Sequence, residues 1–473
     1  MGRTLPRPAL LAEVAVVGLF VAAEALLARR LLHADTFFDE GTYLVSVDAL
    51  RHGQSLGTQI FTAQPPGWYY LLDLVASVAG NSLEAIRGGL ALVVGLGAAA
   101  AYLAGRALAG RTGGAVTAGL LLVAFPLPLY ATRVLSDPSS LVLTLAAVAL
   151  AAAARRNPEG LLLAAASGAA LGLGALVKVY AVLAMPTIVL LLTTGTARAS
   201  RRLLVATLGL AIPILAAIAA NVRALPELWD GVVTYHRDAS SIEILDNVDA
   251  VTGVFNARMP FGWLVAAAVV LALVAAGRGR SVPAAALWLW PVLVCALLLW
   301  YDPLLEHHLA ALAVSLVPAV GVTLGGTIRD LPTRWGLVAG AAVGVVLIAG
   351  YAQQVRRLDS EVRPEEPGIV WAADELARAT TPDQLVVSDL PLSAYLAGRQ
   401  VPGELVDTAM LRFATGSLTP DGVFRLLDER CVRAVAAGRV FTVLPGFMKR
   451  LAETFPTAKR RFGVVVFTRR RCS

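Results

Sequence analysis

Long apolar blocks separated by short polar stretches dominate this chain. Eleven can be marked: Ala9–Leu27, Gly88–Ala104, Gly113–Leu129, Leu141–Ala154, Leu161–Val177, Tyr180–Leu192, Leu203–Ala220, Gly262–Ala276, Val282–Trp300, Leu309–Ile328 and Gly336–Tyr351. Some are short, but each borrows flanking residues to reach the roughly 20 that a spanning helix needs. The pattern predicts an all-α polytopic membrane bundle of about eleven helices.

The polar stretches alternate in character. One set is small and Arg-rich: Arg106/Arg111, Arg155/Arg156, Arg198/Arg201/Arg202, Arg278/Arg280 and Arg329/Arg334. The other set comprises Asp35–Gln64, Arg133–Asp137, Lys178, Asn221–Pro260, Tyr301–His308 and everything after Tyr351. The positive-inside rule places the Arg set, with Arg3 and Arg7, in the cytoplasm and the other set outside. Pro66–Ala79 is apolar and aromatic, yet making it a spanning helix would invert every later loop. It is expected at the outer interface, with Trp68, Tyr69 and Tyr70 in the headgroup layer.

Near Ser360 the pattern changes to that of a small soluble domain. Leu385–Ser388, Val432–Ala436 and Gly463–Thr468 read as strands, and Pro367–Ala379, Asp421–Glu429 and Phe447–Phe455 as helices. The expected organisation is a transmembrane domain over residues 1–355, with an interfacial first outer loop at 31–82, and an extracytoplasmic α/β cap over 360–473.

Composition agrees. Of 473 residues, 57% are hydrophobic and 15% charged, which a soluble protein of this length could not solvate. The net charge of +7 comes from Arg clusters between apolar runs, with no basic helix interleaved with aromatics, so nucleic acid is excluded as a partner. The N-terminal apolar run is long and no small-residue cleavage site follows it, so it reads as a retained signal anchor. Of three cysteines, Cys295 lies in an apolar run, while Cys431 and Cys472 flank two predicted strands. If those strands pair antiparallel, the two sulfurs meet at one end and form a disulfide.

All five histidines and nearly all acids of the membrane half fall on the outer side, so catalytic groups are expected there. The first outer loop carries Phe37-Phe38-Asp39-Glu40-Gly41-Thr42-Tyr43 and then Gln64-Pro65-Pro66-Gly67-Trp68. Asp39 reads either as an active-site carboxylate or as the N-cap of a helix from Glu40 to Arg51. Asp137, in Arg133-Val134-Leu135-Ser136-Asp137-Pro138, has the same two readings. Tyr301-Asp302-Pro303-Leu304-Leu305-Glu306-His307-His308 opens the tenth helix. Adjacent helical histidines point about 100° apart, so one of the pair is expected to be a solvated interface residue and the other a phosphate or metal ligand. Lys178, the only Lys of the membrane half, reads as a snorkelling side chain or as a phosphate contact. Tyr43, and His236 and Arg237 in the fourth outer loop, are weaker candidates for the acceptor side.

An acidic pair directly after the first helix, with a Pro-Pro-Gly turn at the interface, resembles the GT-C glycosyltransferases. The likeness is to the family-39 protein mannosyltransferases and the lipid A aminoarabinose transferase. It implies a GT-C-like membrane fold with a sugar donor on polyprenyl phosphate. It also implies an active-site base at Asp39, paired with Glu40 as the catalytic acids. Donor and phosphate contacts are implied at Gln64, Asp137, Lys178, His307 and His308. Asp137, His307 and His308 also offer ligands for a divalent metal ion, and no other cofactor is expected. Relatives often carry a charge where Gln64 stands, and no large carbohydrate-binding insertion interrupts the membrane half, so protein O-mannosylation is not implied.

The chemistry asks for little else. A polyprenyl-phosphate sugar already holds a good leaving group, so one outer carboxylate as base and one cationic phosphate site suffice. The expected activity is a single inverting displacement onto an extracytoplasmic acceptor: a glycolipid, cell-wall polymer or protein. Two alternatives remain open. A transporter or flippase of a lipid-linked envelope precursor would use midplane charges and paired repeats, whereas these helix centres are apolar and no repeat is visible. A non-catalytic envelope-assembly scaffold would need no outer acidic motif.

Overall fold

The computed structural model describes residues 7–34, 37–157, 159–194, 198–255, 260–277, 282–361, 363 and 365–471. Arg3, Asp35, the Arg278/Arg280 pair and Cys472 lie outside the described residues.

Every apolar block falls in helical chain. The first is α1 (Arg7–Arg29); two amphipathic helices follow, α2 (Phe38–Arg51) and α3 (Pro66–Ala79). The next two blocks share α4 (Leu83–Val123) as far as Val123, the second continuing through a turn into the short helix Leu127–Tyr130; the helical geometry of α4 breaks at Gly110, φ +77° and ψ −167°. A residue without Cβ is suited to that conformation, so Gly110 turns one 41-residue element into two helices. Further helices run Ser136–Arg156, Leu161–Val177, Ala199–Ala220, Pro260–Gly277, Val282–Trp300, Leu309–Asp330 and Thr333–Glu361. The Tyr180–Leu192 block departs from a plain helix. Val179–Ala184 is a 3₁₀ segment, and an α-helix begins only at Met185, with Pro186 in its first turn. Proline supplies no N–H to continue a preceding ladder, so it starts a new helix there. Among the described residues, seven helices are long and apolar enough to cross a membrane, counting α4 once, and three apolar helices are shorter. The chain is a multi-pass membrane protein.

The loops sort as the charge pattern predicts. At one end of the first half of α4, Arg87 meets Glu40. At the other, Arg106 and Arg111 both pair with Glu13 of α1, at 2.8 and 2.6 Å. Arg198 pairs with Glu159, and Arg202 donates to the Asn157 carbonyl, within the same Arg-rich set of turns.

The expectation for α3 needs correction. It is a helix, but Trp68 and Tyr69 are buried, and Tyr43 packs edge-on against both, with ring centroids 5.5 and 6.1 Å apart. Only Tyr70 is exposed, and its hydroxyl donates to Asn221. The first outer loop has a core of its own to fill, and its largest aromatics fill it. Tyr43 is therefore a core residue.

The C-terminal part is a four-stranded sheet with helices against it. Its strands are β1 (Val386–Ser388), β2 (Ala434–Ala437), β3 (Thr457–Arg461) and β4 (Val464–Thr468), in the order β1-β2-β4-β3. β1 and β2 are parallel; β4 is antiparallel to both its neighbours. Strand β3, Thr-Ala-Lys-Arg-Arg, is exposed throughout and carries no apolar alternation by which the sequence could reveal it. Cys431 is disulfide-bonded and Cys295 is a free thiol. The antiparallel β2/β4 pairing is the one the expected Cys431–Cys472 bridge required.

One buried cluster runs from Leu31 and Leu44 through Trp68 to Leu392, Val387 and Val435, so the sheet is seated on the first outer loop. At the seam a Cβ on Gly41 would lie 2.4 Å from the Leu392 backbone nitrogen, closer than any side chain could approach. The Phe61 N–H donates to the Gly403 carbonyl at 3.0 Å, and the Gly403 N–H to Gln54 Oε1 at 2.8 Å. The Arg412 guanidinium covers the Phe61 ring at 3.8 Å.

Candidate active site

Helix α2 begins at Phe38, and its N-cap residue is Phe37. Asp39 therefore lies inside the first turn and is not the cap. The capping contact belongs to Glu40, whose Oε2 accepts from the Phe37 N–H at 3.0 Å. Glu40 is fully buried. Arg87 grips it with two donors, Nε to Oε1 at 3.0 Å and Nη2 to Oε2 at 2.8 Å, and the Val134 N–H reaches Oε1 at 2.8 Å. Arg133 adds a 3.4 Å contact. A carboxylate held by that many donors in a dry site orders the chain around it and has no face left for a substrate. The expected Asp39/Glu40 catalytic pair is thus divided: Glu40 ties α2, α4 and the Arg133–Val134 segment together, and only Asp39 is available for chemistry.

Asp39 is partly exposed. Its carboxyl is pushed up to about 6, first by loss of hydration, then by the negative charge of Asp407 and, less, that of Asp137; Lys178 and Arg439 oppose the shift. A carboxyl at that value is ionised at neutral pH and more basic than an exposed aspartate.

Asp137, too, is not a cap: Leu135 precedes its helix with no side-chain cap bond. The buried Asp137 carboxylate instead accepts from Lys178 Nζ at 3.1 Å and from the Tyr180 hydroxyl at 3.1 Å. Lys178 therefore does not snorkel to the surface, and its side chain is only 12% exposed. A 3₁₀ turn at Glu306–His308 brings both histidines inward, which the helical expectation did not foresee. Both are buried, their rings 4.5 Å apart, and His307 Nε2 lies 3.8 Å from Asp137 Oδ2. Neither is a solvated interface residue. Gln64 is buried and accepts from the hydroxyl of Ser136, the residue before Asp137, at 3.5 Å.

One ligand atom from each of Asp137, His307 and His308 lies within 4.8 Å of the other two, all three residues buried. A carboxylate and two imidazoles make a ligand set that suits zinc or a related divalent ion. Lys178 Nζ already neutralises the carboxylate, so an incoming ion has an internal cation to displace.

The fourth outer loop divides. His236 is mostly buried, its Nε2 2.8 Å from the Ala63 carbonyl and its Nδ1 3.2 Å from the Tyr301 hydroxyl. Burial holds its pKa below the ordinary value, so it links the first outer loop to the Tyr301 segment as a neutral ring. Arg237 is exposed and pairs with Asp238.

Sequence reasoning missed Arg87, Tyr180, Asp407 and Arg439. Arg87 had a usable signal, since an arginine among the outer-side residues runs against the positive-inside pattern and asks for a partner. Tyr180 lies two residues past Lys178. Asp407 and Arg439 carried no signal, because only the folded sheet brings them to Asp39. Asp407 is buried with Oδ1 accepting from the Ala409 N–H at 2.8 Å, and burial raises its own pKa.

A family model described as dolichyl-phosphate-mannose-protein mannosyltransferase matches residues 63–222. ArnT from Cupriavidus metallidurans in the apo state superposes with a TM-score of 0.69 at 18% identity, over 96% of this chain and 98% of that one. ArnT bound to undecaprenyl phosphate gives 0.70 at 17%, over 95% and 97%. The archaeal oligosaccharyltransferase AglB from Archaeoglobus fulgidus, in complex with an inhibitory peptide and a dolichol-phosphate, gives 0.59 at 12%, over 90% and 69%. No curated protein sequence matches the chain. The GT-C likeness implied by the outer-loop motifs thus holds, as a fold, over nearly the whole chain.

Proposed function

We propose that this protein is a GT-C glycosyltransferase. It moves a sugar from a polyprenyl-phosphate donor to an extracytoplasmic acceptor by one inverting displacement. The observation that carries the reading is the gathering of Asp39, Asp137, Lys178 and His307 from four separate segments, at one end of a bundle with the ArnT fold. In our reading the N-terminus is cytoplasmic, and the site and the 360–473 domain face outward, as the Arg-rich turns favour.

Asp39 accepts the proton of the acceptor hydroxyl. The freed oxygen forms a bond to the anomeric carbon as the bond from that carbon to phosphate oxygen breaks. The electron pair leaves with the polyprenyl phosphate, and the anomeric configuration inverts. Lys178, held in place by Asp137, meets the negative charge of the departing phosphate, and His307, His308 and Gln64 supply neutral polar contacts beside it. Glu40 positions α2 and hence Asp39. A divalent ion bound by Asp137, His307 and His308 would supply Lewis-acid stabilisation of the phosphate.

The test is incubation of the purified protein in nanodiscs with a panel of labelled polyprenyl-phosphate sugars. Transfer, or slow hydrolysis to free sugar, is expected with at least one donor. A folded protein that leaves every donor intact contradicts the proposal.

A further inference from the structure

A cavity of about 300 Å³ lies on the seam between the first outer loop and the C-terminal sheet. It is lined by Phe37 and Phe38, directly preceding Asp39, by Ile369, Leu390 and Leu392, and by the charged Arg439 and Glu366. We propose that this cavity is the acceptor site, and that it takes a neutral sugar ring of a glycan or glycolipid. The proposal rests on the transferase reading above for the role of the ligand, and on the cavity itself for its chemistry.

Several features support it. The cavity is at the lower end of the roughly 300–1,000 Å³ of small-molecule sites, which leaves room for a sugar residue and little for a lipid chain. Its lining suits the two faces of a sugar. Aromatic and aliphatic side chains meet the ring C–H groups, and one guanidinium and one carboxylate can donate to and accept from hydroxyls. Among the described lining residues one cation, Arg439, is matched by one anion, Glu366, so the lining does not select an anion. Arg439 makes no ion pair or hydrogen bond through its guanidinium among the described residues; it stands 5.0 Å over the Phe38 ring.

The turn that presents Arg439 is built rather than loose. Asp389 is fully buried, and its two carboxylate oxygens accept from the Gly438, Arg439 and Phe441 N–H groups at 2.8, 2.9 and 2.7 Å. Those bonds fix the backbone after β2, and the side chain of Arg439 is left exposed over α2. Finally, the cavity is next to the chemistry. The positive charge of Arg439 acts on the Asp39 carboxyl, as do Lys178 from the bundle and Asp407 from the sheet side. Asp39 directly follows the two phenylalanines that line the cavity, and Arg439, which also lines it, stands 5.0 Å over the Phe38 ring.

Binding can be measured without any donor. Octyl glycosides of glucose, galactose, mannose and arabinose are titrated into the full-length protein in nanodiscs, with saturation-transfer NMR reading contact to the ring protons. At least one should bind at millimolar concentration. Arg439→Gln, a change at an exposed side chain, should weaken binding at least tenfold without lowering the thermal unfolding temperature. Phe38→Ala should remove the ring-proton signal. Binding by none of the glycosides, or binding unaffected by both Arg439→Gln and Phe38→Ala, overturns the proposal; so does competition for the cavity by an unglycosylated peptide but by no glycoside. Absence of sugar transfer in the separate donor assay would count against the transferase reading and leave this binding result to stand on its own.

Discussion

Replacing Glu40 with Gln separates a structural carboxylate from a catalytic one. The native group is fully buried and accepts from Arg87 twice, from the Phe37 and Val134 N–H groups, and from Arg133. An amide keeps one acceptor oxygen and turns the other position into a donor, which must then face an Arg87 N–H or a backbone N–H. It also takes away the negative charge that Arg87 meets twice on Glu40 in a buried site. Removing one partner of a buried ion pair costs about 3–5 kcal/mol, because the remaining charge stays desolvated. At a few degrees per kcal/mol that is a fall in Tm of roughly 5–15 °C. Thermal unfolding in nanodiscs, followed by fluorescence, is the assay, with sugar transfer measured on the same preparation well below Tm. Arg87→Met combined with Glu40→Gln should recover part of the loss, since it removes the buried cation along with the anion it faced. The reasoning is refuted if Glu40→Gln leaves Tm within about 1 °C, less than 1 kcal/mol at that conversion, while transfer falls a hundredfold. That outcome would return Glu40 to the chemistry.

The pH profile of transfer should have an acid limb near pH 6, because Asp39 must be ionised to act and its carboxyl is raised to about 6. Asp407→Asn removes the largest charge raising it and should move that limb to lower pH; an unmoved limb would dissociate the two residues. The same shift fixes the sign for stability. A carboxyl whose folded pKa exceeds its unfolded value stabilises the fold at low pH and loses that contribution as pH rises through about 4 to 6. Lys178→Ala should weaken polyprenyl-phosphate binding at least tenfold by ligand-induced thermal shift, while Lys178→Arg keeps most of it; equal affinity in all three would remove Lys178 from the donor site. Cysteines placed at Ser200 and Ser417, both exposed, should differ in labelling by an impermeant reagent on intact cells, with Ser417→Cys labelled. Equal labelling would sink the proposed orientation.

The bundle was legible because burial in a membrane is written as composition: the apolar blocks became mostly α-helix, with a 3₁₀ segment opening Tyr180–Leu192, and the Arg-rich turns collected together. The C-terminal helices Pro367–Ala379 and Phe447–Thr454 were legible from apolar spacing, whereas β3 was not, being an exposed strand held only by β4. At the site, residue types were readable and geometry was not. Asp137, His307 and His308 could be named as one ligand group, yet a helical spacing argument kept the histidines apart. They are united by a 3₁₀ turn at Glu306–His308, where the Leu305 N–H donates to His308 Nδ1 at 3.3 Å. Glu40 could not be told from Asp39 by sequence, since their difference lies in Arg87, 47 residues away. Asp407 and Arg439 are further still, on the domain whose Leu392 backbone closes on α2 at Gly41.

The most direct test of the account is Asp39→Asn assayed for transfer and for polyprenyl-phosphate binding on the same protein. Asn keeps the shape of the side chain and removes its basicity, and since Phe37 rather than Asp39 is the N-cap of α2, no capping contact is lost. Transfer should fall by roughly two to four orders of magnitude, the usual contribution of a general base, with donor binding nearly unchanged. Near-wild-type transfer by Asp39→Asn would contradict the assignment of the base and pass that role to another carboxylate at the site.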